Sequence, residues 1–181
     1  MNATIRWVLG ASAAVTLVLI GVVGSAAGQS TGFRTAGEKI TGQAYWPGRA
    51  VGRYVESARN YTQEFQSYVQ HAPRPEAAVV QEVHRTLGGY LEEANKHLAA
   101  MKKDFAGDKE TLAAVEGIEK DLAKAVEQNK VMIACCREEK FDKAVAMTCC
   151  TDLGEQLAKI HATHVALMKK LSAKHAAVSA K

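Results

Sequence analysis

The only cysteines of this chain stand as two vicinal pairs, Cys135-Cys136 and Cys149-Cys150, in sequence of helical character. Four thiols in two doublets can do two kinds of chemistry. They can close disulfides, or as thiolates they can hold a soft or borderline metal ion, copper as Cu(I) or zinc as Zn(II). Met132 precedes Cys136 by four residues and Met147 precedes Cys150 by three, spacings that put thioether and thiol on one helical face. Thiolate combined with thioether selects Cu(I) over harder ions, although methionine also fills core gaps in any helical protein. Neighbours on a helix point about 100° apart, so each doublet turns one sulfur inward, and the apolar stripes select Cys136 and Cys150. His84 joins this set as the nearest imidazole by helix count.

A second, weaker constellation lies further along. His97 and Met101 are four apart, His164 and Met168 are four apart, and His161 stands one turn from His164. Inward side chains on facing helices are how bundles build metal sites. The plainer reading is a set of hydrogen-bonded or partly exposed histidines.

Other chemistries lack their residues. There is no C-x-x-C-H for covalent haem. The paired Glu-x-x-His of di-iron bundles fails, because Gln81 stands three before His84. No glycine-rich phosphate loop and no Ser, His and Asp set is present, so no catalytic residue is assigned and the protein is not read as an enzyme. A redox dithiol is the least favoured use of the cysteines. Cys135-Cys136 falls at a helix C-terminus, whose negative dipole end raises thiol pKa values. A net charge of +4 without five consecutive basic residues speaks against a nucleic-acid partner.

The elements that must position these groups follow from periodicity and breakers. Arg6, the apolar run Trp7–Val23 and the small residues Ser25, Ala26 and Ala27 form an export signal over residues 1–27, with an uncleaved anchor as the alternative. About 20 apolar residues span a bilayer, so this segment is the only membrane contact expected, and the protein is placed in the periplasm or outside the cell. Vicinal thiols in such a compartment are open to oxidation. Residues 28–46, rich in glycine, read as an irregular linker or strap. Residues 47–175 carry four helical stripes, and residues 176–181 form a tail. Pro47 opens the first helix and Pro73 and Pro75 end it. The second runs from about Pro75 to Phe105, interrupted by Gly88-Gly89, which predicts close packing or a kink. Gly107 offers a C′ stop. The third runs from about Lys109 to Arg137, and the fourth from Phe141-Asp142 to about Ser172. Short connections predict an all-α, up-down-up-down four-helix bundle.

Counting along antiparallel helices then sets heights. With the third turn centred near Glu138 and Glu139, the two cysteine pairs differ by roughly 10 Å. They meet only if that turn is centred near Asp142 and Lys143. The same count puts His97 and His164 at one level.

This pattern resembles exported bacterial four-helix-bundle proteins that handle metals, including the copper-storage bundles, which bind Cu(I) through cysteines pointing into the core. With four cysteines, the present chain is not suited to bulk storage. The stretch Cys135 to Leu171 is also similar to secreted helical proteins with Cys-Cys doublets and a terminal His-x-x-x-Met-Lys-Lys segment. The expectation is an exported bundle binding Cu(I), less readily Zn(II), through the vicinal cysteines. The alternative is a disulfide-stapled structural or interaction bundle without metal.

Overall fold

The computed structural model describes the backbone of residues 45–137, 139 and 141–179, with side chains in the last stretch as far as residue 174. The export-type segment 1–27 and the strap as far as residue 44 lie outside the described residues. Among the described residues there are four helices: α1 Tyr45–His71, α2 Ala77–Asp104, α3 Lys109–Arg137 and α4 Lys143–Ser179. Among the described residues there is no strand, and no helix is long and apolar enough to cross a membrane. The helices form a four-helix bundle. Each packs on its successor and α4 closes the ring on α1, whereas α1 with α3 and α2 with α4 are diagonal pairs whose backbones stay apart.

Local chemistry sets the helix ends. α1 begins ahead of Pro47, which lies inside the first turn, where its missing N–H goes unmissed. It stops at His71, before Pro73, and Tyr68 Oη accepts the Glu76 N–H at 3.0 Å across the connection. Gly107 does not stop α2. The cap is Phe105, whose N–H bonds Met101 O at 2.9 Å, and the turn closes with Asp108 N–H on Phe105 O at 2.9 Å. Asp108 caps α3: its Oδ1 accepts from the Thr111 N–H at 3.1 Å and its Oδ2 from the Thr111 hydroxyl at 2.7 Å. Those bonds, with Lys174 beside them, pull the Asp108 carboxyl down to about 2.

α4 enters where Phe141-Asp142 marked its start. Asp142 is its N-cap, with Oδ1 accepting from the N–H groups of Ala144 at 2.8 Å and Val145 at 3.2 Å. Side-chain oxygens of Asp bond orphan N–H groups at a helix start, so the helix cannot include Asp142 itself. This moves the turn toward residue 142. Val145 is 48% exposed, and Ala146 lies inside. At the other end α4 runs on to Ser179 rather than ending near Ser172.

The core is one continuous cluster along the bundle axis. The α2 stripe Val80, Val83, Leu87, Leu91, Ala94, Leu98 and Met101 is buried as its spacing predicts. Gly88 and Gly89 serve no close packing, since a Cβ on either would meet nothing within 4 Å. On α1, the buried Thr62 satisfies its hydroxyl on Ala58 O at 2.8 Å.

Candidate functional site

α3 and α4 carry the four thiols to the end of the bundle where their connection lies. Cys135 and Cys149 are half-buried, and their sulfurs lie 3.0 Å apart across the two helices. The pairs therefore meet, and the 10 Å separation expected from a turn at Glu138 and Glu139 does not occur. α3 ends at Arg137 and α4 starts at Lys143 behind its Asp142 cap, so the connection is centred later than Glu138 and Glu139, and Cys149 faces Cys135. Cys136 and Cys150 point inward and are 3% and 0% exposed.

Burial dominates the acid–base behaviour of this cluster. It pushes the Cys136 thiol up to about 11, with the neighbouring Cys135 adding to it. Burial likewise pushes Cys150 up to about 12, followed by the influence of Cys136, Cys149 and Cys135. Cys150 thus feels all three other sulfurs. Cys149 rises to about 12, from burial first and then from the sulfur–hydrogen contact with Cys135. Removing a thiol from water disfavours its anion. At neutral pH these three cysteines are protonated and poorly nucleophilic.

The remaining expected residues divide. Met132 is buried one turn before Cys136, and Met147 is half-buried against the core beside the cysteine doublet of α4. His84, on α2, has a buried Nδ1 without a protein hydrogen-bond partner. Asn129 Oδ1 and Gln128 Oε1 share that condition on α3. Among the described residues, no three His, Cys, Asp or Glu side chains converge as a metal-ligand group.

The second constellation does not assemble around its histidines. His97 faces outward between α1 and α2, stacked on Tyr54 with ring centroids 5.7 Å apart. His164 is 4% exposed, and its Nε2–H donates to Gly48 O at 2.7 Å. Helices α2 and α4 are diagonal, so equal height does not bring these two imidazoles together. Met168 and Met101 do approach one another. A Cβ placed on Gly48 would stand 2.7 Å from Met168 Sδ and 3.7 Å from Met101 Cε. His161 is half-buried and slightly lowers the proton affinity of His164, whose pKa burial already depresses.

Sequence reasoning overlooked the Gly48 and Gly52 pair on α1. A Cβ on Gly52 would lie 2.8 Å from His164 Cε1. The signal was available, as two glycines four apart on a helix present one bare face. Comparison with protein families, with curated proteins and with solved structures finds no match.

Proposed function

We propose that this protein is an exported, up-down-up-down four-helix bundle that binds Cu(I) through Cys135, Cys136, Cys149 and Cys150. The observation that carries the reading is the meeting of sulfurs from two helices, with Cys135 and Cys149 Sγ at 3.0 Å and Cys136 and Cys150 buried behind them. Two thiolates satisfy Cu(I), and the buried Met132 thioether adds a soft surrounding. Zinc fits less well. Four thiolates at about 2.3 Å from Zn(II) lie about 3.8 Å from one another, and no such closed set is present among the described residues. The cross-helix bonds from Gly48 to His164 and from Gln66 to Thr151 favour the alternating topology, because higher numbers on α4 pair with lower ones on α1.

Metal uptake must displace thiol protons that burial holds on, so binding strengthens as pH rises. Reduced full-length protein titrated with Cu(I) without oxygen, against a competing chelator, should bind about one ion per cysteine cluster and release protons. The variant with all four cysteines changed to serine should bind none. Copper content unaffected by those four substitutions would end the proposal.

A second reading draws on the same 3.0 Å contact. A disulfide needs the sulfurs at about 2.05 Å, so a shift of about 1 Å closes a Cys135–Cys149 staple between α3 and α4. In an oxidising compartment a disulfide persists. Mass spectrometry of native and alkylated protein separates the readings by counting free thiols and bound metal together.

A further inference from the structure

Far from the cysteines, α1 and α2 frame an open cleft of about 480 Å³ on the bundle surface. Trp46, Ala50, Arg53 and Ser57 line it from one stripe of α1, and Tyr90 and His97 face them from α2. Tyr54 forms the floor. Its ring stacks on His97 at 5.7 Å and leans on Tyr90 at 6.5 Å, and Tyr90 in turn meets Tyr61 edge-on at 6.4 Å. This chain of ring contacts holds the floor in place, while Trp46 at the rim remains 66% exposed. Among the described residues Arg53 is the one Lys or Arg that lines the cleft, and no carboxylate lines it.

We infer that this cleft is a binding site for a flat aromatic anion, with its ring against Trp46, Tyr54 and Tyr90 and its carboxylate or phosphate on Arg53. The volume falls in the range of small-molecule sites, and aromatic walls with a few polar groups are their usual lining. Stacking on fixed aromatic rings supplies attraction at little ordering cost. Aromatic faces alone would also attract a cation, but the Arg53 charge opposes a second one and pairs with a carboxylate or phosphate through parallel N–H bonds. The Ser57 hydroxyl and tyrosine hydroxyls add neutral donors. None of this involves the thiols.

The test uses the full chain and three probes of one shape: 2-naphthoate, 2-naphthylmethanol and 2-naphthylmethylammonium. Binding is read by calorimetry and by the NMR shift of the Trp46 indole N–H, with Trp7→Phe leaving Trp46 as the only tryptophan. Naphthoate should bind about ten-fold more tightly than the alcohol, and the ammonium most weakly. Arg53→Gln should bring naphthoate down to the level of the alcohol without moving the alcohol. Trp46→Ala, at a position 66% exposed, should weaken both. The four-cysteine serine variant should bind naphthoate as the wild type does. Overturning results are naphthoate binding that ignores Arg53→Gln, an ammonium that binds as well as the acid, or no saturable shift at millimolar probe.

Discussion

The bundle brings unusual groups into its interior at two levels, by opposite means. At the α3–α4 end, two helices each offer a doublet of thiols, and the register set by the Asp142 cap brings Cys135 and Cys149 sulfurs to 3.0 Å. At the α1–α4 level, α1 instead withdraws its side chains. Gly48 and Gly52 leave room for Met168 and for the His164 ring, which is pinned by its 2.7 Å bond to Gly48 O. The first arrangement gathers two half-buried thiols in front of two buried ones. The second is packing, and its polar atom is a liability, since Nδ1 of His164 is buried without a partner. Convergence of side chains is where chemistry can reside, whereas a bare helix face marks a place where two rods must approach.

The largest effect should come from closing the thiol end. Joining Cys135 to Cys149 encloses a loop of about 15 residues and stabilises the fold by about 3 kcal/mol in the chain-entropy model. Denaturant curves of oxidised and reduced protein should show that gap, and Cys149→Ser should abolish it. Coincident curves for the two redox states would remove the staple from consideration. Cys136 and Cys150, both buried, should stay unalkylated until the protein unfolds.

Next in size is a single methyl at the other level. In Gly52→Ala the new Cβ meets the His164 ring at 2.8 Å, and that ring has little room because its Nε2 is held by Gly48 O. Overpacking of this kind costs about 1–3 kcal/mol. Gly48→Ala should cost less, because the atoms it meets are the flexible end of Met168. Equal costs for the two substitutions would show that the pinned ring is not what makes the difference.

A smaller, pH-dependent effect belongs to the same histidine. Burial holds His164 below its ordinary value of 6.5. On acidification the unfolded chain therefore takes up this proton before the folded one does, and stability, complete above about 6.5, declines as pH falls through the folded value. Asp108, lowered to about 2 chiefly by its hydrogen bonds from Thr111 and then by Lys174, acts in a more acidic range. Melting temperature should fall between pH 7 and pH 5, and His164→Leu should flatten that slope whatever it does at pH 8. A slope that survives in the leucine variant assigns it to another group.

The smallest effect is a gain. Gly88 and Gly89 lie inside α2 facing open space, so each change to alanine should stabilise by up to about 1 kcal/mol, the propensity difference in a helix interior. A loss at either position would mean that α2 needs a glycine there for a reason other than room.

Much of this was readable along the chain. Spacing alone marked the buried faces of α1, α2 and α3 and the inward choice of Cys136 and Cys150. α3 occupies the span Lys109–Arg137 that its stripe outlines. The errors gather where a single polar side chain outranks periodicity. Asp142 accepts two backbone N–H groups ahead of α4, and just beyond it Val145 faces out and Ala146 in. Thr62 is a core position that polarity disguised. Surface pairs such as Arg85–Glu82 at 2.7 Å are exposed and add little to stability.

Periodicity is a property of one helix at a time, so residue order was enough to say that four amphipathic rods exist and which stripe of each seeks the interior. Nothing local states how far one rod slides along another or which rods are neighbours rather than diagonal. Those choices arose from contact between helices: a capped turn that aligned the thiols of α3 and α4, a bare face on α1 that admitted His164, and a diagonal that kept His97 away from it on a cleft of its own. Packing settles such distances because a slide of one or two residues, about 1.5–3 Å, decides whether two side chains touch or miss.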